Sequence, residues 1–111
     1  MPDERAARLA RNEARFREIN ERVERDLAPI VDPHDEQLPF VCECGRPNCT
    51  DSISLYVAEY EGIRSDPTCF AVVPGHEIDD VEDVIERTDR FAVVRKHPET
   101  WEITRQTDPR R

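Results

Sequence analysis

Cys42, Cys44 and Cys49 fall within Cys42-Glu43-Cys44-Gly45-Arg46-Pro47-Asn48-Cys49, a C-x-C-x(4)-C knuckle, and no other stretch constrains the fold as tightly. Alternate residues of an extended strand point to the same side, so Cys42 and Cys44 can present both sulfurs to one point. Gly45 then allows the backbone to reverse. Pro47 and Asn48 are turn formers, and a chain doubling back there delivers Cys49 as a third ligand. Three thiolates favour zinc, whose structural sites are closed by a fourth Cys or His.

Two residues compete for that fourth position in Thr68-Cys69-Phe70-Ala71-Val72-Val73-Pro74-Gly75-His76. His76 follows a Pro-Gly turn at the end of an apolar run, where an imidazole can swing toward a neighbouring knuckle. It is the expected ligand. Cys69 is the alternative, although a free cysteine opening an apolar run is more often a small buried hydrophobe. An open position holding water or substrate is the third option. His34 and His97 lie beside prolines in polar segments and read as surface residues.

The same cysteines would mean disulfides in an exported chain. The run Met1-Pro2-Asp3-Glu4-Arg5-Ala6-Ala7-Arg8 is charged and lacks an apolar signal-peptide core, so a cytoplasmic protein with reduced thiols is expected. No segment approaches the roughly 20 apolar residues of a membrane helix.

At 111 residues, with 37% hydrophobic and 37% charged, the chain is expected to build a modest core that metal binding would help to stabilise. The net charge is −9. Seven acids balance seven arginines between positions 3 and 27, so the deficit belongs to the remainder, densest at Glu77, Asp79, Asp80, Glu82, Asp83 and Glu86. That stretch reads as a solvated face. Such a surface repels a phosphate backbone, which disfavours nucleic acid and leaves a protein partner as the expectation.

The periodicity divides the chain into residues 1–30, an N-terminal amphipathic helix; 31–38, an acidic connector; 39–97, a zinc-binding α+β domain; and 98–111, a C-terminal tail. In the helix, Asp3 is the expected cap and Pro29 the stop, and Leu9, Phe16, Ile19, Val23, Leu27 and Ile30 form the apolar stripe expected to bury. Strands are predicted over 39–44, 52–55 and 70–73, with a short helix over 57–64 that Pro67 limits. Residues 81–94 suit either a helix or a hairpin, and the hairpin is preferred. Trp101 and Ile103 suit one face of an extra strand or a loose anchored end, followed by a disordered Arg110 and Arg111. The expected fold is therefore α+β: a long N-terminal helix, then a small, mostly antiparallel, zinc-stabilised sheet with one short helix.

Locally, the knuckle resembles the post-SET zinc motif of protein lysine methyltransferases, which shares the C-x-C-x(4)-C spacing and takes its fourth ligand from elsewhere. The likeness stops at those eight residues and implies zinc binding without methyltransferase activity. Over a longer span the chain resembles small proteins of actinobacteria and related bacteria. The matching residues are Phe40, Cys42, Glu43, Cys44, Cys49, Glu59, Tyr60, Glu61, Ile63, Arg64, Pro67, Phe70, Val72, Pro74, Gly75, His76, Val93, Val94 and Lys96. Cys69 lies outside that pattern, so the resemblance implies His76 as the ligand, together with a bacterial cytosolic setting.

For function, the leading expectation is a non-enzymatic, zinc-stabilised protein-interaction or regulatory module. Enzymatic use would need an open metal position and a carboxylate base such as Glu43 or Glu77, yet three thiolates blunt the metal as a Lewis acid. No phosphate-binding loop, nucleophile elbow or deaminase signature accompanies the knuckle. The remaining alternative is a redox-responsive switch in which oxidised thiolates eject the metal.

Overall fold

The computed structural model describes residues 2–110. Asp3, in extended backbone, accepts a hydrogen bond from the Ala6 amide at 2.7 Å and starts α1 (Glu4–Leu27). Pro29 then sits in a 3-10 turn over Ala28–Ile30, where its missing N–H costs nothing. Next, β1 (Gln37–Val41) pairs antiparallel with β2 (Ser52–Tyr56), and the knuckle is the connection between them. Helix α2 (Val57–Arg64) follows directly, its entry held by a hydrogen bond from the Tyr56 amide to the Glu59 carboxylate at 2.9 Å. A second antiparallel sheet contains β3 (Cys69–Val72), β4 (Glu82–Arg87) and β5 (Ala92–Lys96) in the order β3-β5-β4. The preferred hairpin at 81–94 is thus present, with a register shift between Val84 and Glu86.

One core cluster gathers Leu38, Phe40, Ile53, Leu55, Tyr60, Ile63, Cys69, Ala71, Phe91 and Val93. Phe40 and Tyr60 stack there with centroids 4.4 Å apart. A second cluster gathers Cys42, Cys44, Phe70, Val72, Ala92 and Val94. Strand alternation makes the division: Cys69 and Ala71 face the first cluster, Phe70 and Val72 the second.

The tail departs from expectation. Pro98 opens a 3-10 turn over Pro98–Thr100 that leads into α3 (Trp101–Gln106), neither a strand nor a loose end. A proline near the start of a helical turn is preset in φ, and Trp101 Nε1 fastens the turn by donating to the Lys96 carbonyl at 2.6 Å. Arg110 is likewise held, donating to Glu21 at 2.6 Å and Glu61 at 2.5 Å, while Asp108 accepts from Arg64. Arg111 lies outside the described residues.

The largest departure concerns α1. Its fully buried side is Ala6, Ala7, Ala10, Glu13, Ala14, Arg17 and Asn20, whereas Phe16 and Leu9 are half-buried and Ile19 is 42% exposed. Only Val23 and Leu27 of the apolar stripe pack on the first core cluster, and Ile30 is 75% exposed. Alanines let the helix backbone approach the sheets closely, and polar groups already desolvated in those sheets need partners from α1. Arg17 stacks over Phe70 at 3.8 Å and donates to the carbonyls of Pro67 at 2.8 Å and Cys69 at 3.2 Å. Asn20 treats Val41 as a strand partner would: its Nδ2 donates to the Val41 carbonyl at 2.9 Å and its Oδ1 accepts the Val41 amide at 2.8 Å.

Consequently the charge balance of α1 is not the balance of its surface. Glu13, Arg17, Glu21 and Glu24 turn toward the body, leaving Arg5, Arg8, Arg11, Arg15, Arg22 and Arg25 exposed against Asp3, Glu4, Glu18 and Asp26. The outer face is basic on an otherwise acidic protein.

The acidic stretch at 77–86 also holds an exception to its solvated reading. Glu82 is 1% exposed and pairs with Lys96 at 3.1 Å, while Lys96 also lies 2.9 Å from Glu13. The Glu13 contact is an ion pair off the hydrogen-bond direction, and Glu13 retains buried oxygens without a hydrogen-bond donor. Burial pushes the Glu13 carboxyl well above its usual range, Lys96 opposing and Glu82 reinforcing the shift.

Candidate metal centre

Cys42 and Cys44 lie just beyond β1, where the Cys42 amide still donates to the Asp51 carbonyl at 2.9 Å, in continuation of the β1–β2 ladder. Gly45 reverses the chain at φ +79°, and the Cys49 amide donates to the Arg46 carbonyl at 3.1 Å, closing the loop. His76 arrives from β3 by a tight turn: Pro74 and Gly75 occupy the middle positions, Gly75 has φ +92°, and the His76 amide donates to the Val73 carbonyl at 2.9 Å. A proline followed by a residue of positive φ is the signature of a type II turn.

These two turns bring Cys42, Cys44, Cys49 and His76 together, with one ligand atom from each within 4.8 Å of all the others. His76 Nδ1 is 3.6 Å from Cys42 Sγ and 3.7 Å from Cys49 Sγ. A tetrahedral ion with zinc-like bonds to sulfur and nitrogen would hold such a pair about 3.6 Å apart. The four residues lie close enough together to bind a metal ion. All four cysteines of the chain are free.

The surroundings suit anionic sulfur. The Val73 amide donates to Cys42 Sγ at 3.2 Å, and the amides of Arg46 and Asp51 face Cys44 and Cys49. The thiol of Cys42 hydrogen-bonds to Cys44 and draws its pKa down to about 4, while that same bond, followed by burial, pushes Cys42 far up. Burial also raises Cys49, with Cys44 adding to the shift. Crowding thus permits one thiolate readily and opposes the second and third, which is the electrostatic situation a divalent cation relieves.

Sequence inspection missed Asp51. Its Oδ2 lies 3.5 Å from His76 Nε2, so with Nδ1 turned to the sulfurs the other ring nitrogen faces a carboxylate, an arrangement that orients metal-binding histidines. The nearest available signal was its place two residues after Cys49. Cys69 lies outside the four ligands, because strand alternation turns it into the first core cluster. Cys42 and Cys44 are buried, but Cys49 and His76 are half-exposed beneath a shallow depression lined by residues 46–51 and His76.

Neither carboxylate considered as a base is aimed at the sulfurs. Glu43 is fully buried, accepting hydrogen bonds from Asn20 Nδ2 at 2.8 Å, the Tyr60 hydroxyl at 3.0 Å and the Ala71 amide at 2.9 Å. Burial raises its pKa, and the nearby Arg17 opposes that shift. Glu77 is occupied by Arg87 at 3.1 Å and the Gly75 amide at 3.0 Å. Glu43 does position the knuckle: its amide donates to the Ala71 carbonyl at 2.8 Å while its side chain is gripped by α1, α2 and β3.

Helix α1 also touches the knuckle directly. Asn12 Nδ2 donates to the Gly45 carbonyl at 3.1 Å, and a Cβ added to Gly45 would lie 2.8 Å from Glu13 Cγ and 3.0 Å from the Leu9 carbonyl oxygen. At Gly75 the corresponding space is open. Gly45→Ala is therefore expected to cost about 2–3 kcal/mol, because a strained left-handed backbone is joined by a clash, and Gly75→Ala about 1 kcal/mol from strain alone. Chemical denaturation of the two variants measures the difference.

No family model matches the chain, and no curated protein or solved structure matches it. Among the described residues no helix is long and apolar enough to cross a membrane.

Proposed function

We propose that this protein is a zinc-stabilised, non-enzymatic interaction module in which Cys42, Cys44, Cys49 and His76 close a structural zinc site. The observation that carries the metal reading is the match of His76 Nδ1 to two sulfurs at tetrahedral spacing. Zinc is the natural choice for three soft thiolates and an imidazole. With four protein ligands the metal supplies architecture, and interaction falls to the surfaces it holds in place. In this reading Asp51 fixes the His76 ring, and Glu43 joins the site to both helices.

Metal content by native mass spectrometry tests the site. One zinc per chain is expected in the wild type, none in Cys49→Ser, weakened retention in His76→Ala and full retention in Cys69→Ser. A zinc-free wild type after gentle purification, or release by Cys69→Ser alone, would contradict the assignment.

The half-exposed Cys49 favours a second reading, a redox-responsive switch, since an accessible zinc-bound sulfur can be oxidised and release the ion. Zinc release measured under mild peroxide distinguishes the two: retention leaves the structural role alone.

A further inference from the structure

An interaction module needs a surface, and the outer side of α1 provides one with a defined chemistry. Arg8, Arg11, Arg15 and Arg22 recur at helical spacing along one exposed strip, which spans about 21 Å. Among the described residues none of the four forms an ion pair, although Arg5, Arg17, Arg25, Arg64, Arg87 and Arg90 all do. Beside the strip lies an open groove of about 490 Å³ lined by Asn12, Arg15, Phe16, Ile19 and Pro47. Its apolar members are those that helical periodicity marks for burial and that the fold leaves half-buried or exposed. Pro47 belongs to the knuckle, so the metal loop forms one wall.

We infer that this groove docks an acidic, amphipathic helical segment of a partner protein, apolar anchors entering between Phe16, Ile19 and Pro47 while its carboxylates meet the arginine strip. This rests on the interaction-module reading and names its partner class. Two features select such a segment. Cations in a row beside an apolar floor complement a helix carrying acids next to its apolar stripe, the pattern of helix-in-groove recognition. Glu18 interrupts the arginines, and the remainder of the chain carries the net −9, so a long phosphate polymer would be repelled wherever it left the strip. A second copy offers a poorer match: Ile85, exposed beside Asp83 and Glu86, lies on the strand β4 rather than on a helix.

The test uses the full, zinc-loaded chain and a synthetic 20-residue peptide that alternates Glu and Leu at helical spacing, with binding followed by fluorescence anisotropy. Saturable binding is expected, weakened at least about tenfold by Ile19→Asp and by the Arg11→Glu/Arg15→Glu pair, reduced by added salt, and unchanged by Arg105→Glu on α3. All four substitutions are at positions away from the metal ligands, and zinc stoichiometry is recorded for each protein. Zinc-loaded wild type that fails to bind, or Ile19→Asp that binds equally, overturns the docking surface while leaving the metal site standing. Loss of the zinc assignment with peptide binding intact gives the opposite outcome. Equal binding by an all-acidic peptide without leucines, tighter binding by a single-stranded oligonucleotide, or self-association abolished by Ile85→Asp would each also overturn it.

Discussion

Removing the proposed zinc is expected to lower the melting temperature by about 16 °C or more. Structural zinc sites contribute roughly 10–16 kcal/mol in small domains, comparable to the whole stability of a domain this size. Loss of only about 4 kcal/mol of that would produce the shift, at about 4 °C per kcal/mol. Little compensates, because Cys42 and Cys44 are part of a core cluster with Phe70, Val72, Ala92 and Val94, and Cys42 and Cys49 resist ionisation beside the Cys44 thiolate without a cation. Thermal unfolding before and after chelation measures the effect, with metal loss checked independently. Cys44→Ser should melt near the chelated wild type and show no response to chelator. A demonstrably metal-free protein with an unchanged transition would remove zinc from the stability account.

The second large effect is expected at Lys96. Its ammonium is buried between Glu13 at 2.9 Å and Glu82 at 3.1 Å. Lys96→Met would leave two buried carboxyls facing each other without a cation, at a cost of about 3–5 kcal/mol. Glu13→Gln should cost less than Lys96→Met, since burial already opposes the charge on the Glu13 carboxylate and the amide removes that charge without leaving a buried carboxyl pair. The pH dependence separates charge from packing. A raised native pKa favours the folded state at low pH, and that advantage is lost as pH rises through the native value. Lys96 opposes the upward shift, so its removal raises the Glu13 pKa further and the deficit of Lys96→Met should deepen with increasing pH. A pH-independent deficit would mean that only side-chain volume was lost. Denaturant titrations of both variants at several pH values decide between these outcomes.

Most of the element order was legible without coordinates. The Asp3 cap, the Pro29 stop and the short helix ahead of Pro67 follow from local rules of capping and proline geometry, alternation favoured the hairpin over a helix at 81–94, and each is present. The candidate site was legible for the same reason. Cys42, Cys44 and Cys49 lie in one run of chain whose turn chemistry dictates their convergence, and the Pro74-Gly75 turn marked His76 as deliverable.

What local rules did not show was which side of α1 faces inward. The period correctly marked a helix, but the hydrophobic stripe was the wrong guide to its orientation. A stripe of Glu13, Arg17 and Asn20 appears solvent-facing until Lys96, the Pro67 and Cys69 carbonyls and Val41 are placed opposite it. Those partners come from distant strands, so no window of sequence contains the pairing. Asp51 and Arg110 were obscure for the same reason, being ordinary charged residues until His76, Glu21 and Glu61 arrive beside them.

The sequence alone determined the three-cysteine knuckle and the turns on either side of the cluster, with His76 as the expected fourth member, because turn chemistry and backbone stereochemistry act over a few residues. Only the tertiary structure decided which polar groups of α1 are buried and which apolar ones are left outside. Desolvated charges need partners from across the fold, and satisfying them costs α1 the burial of Phe16 and Ile19.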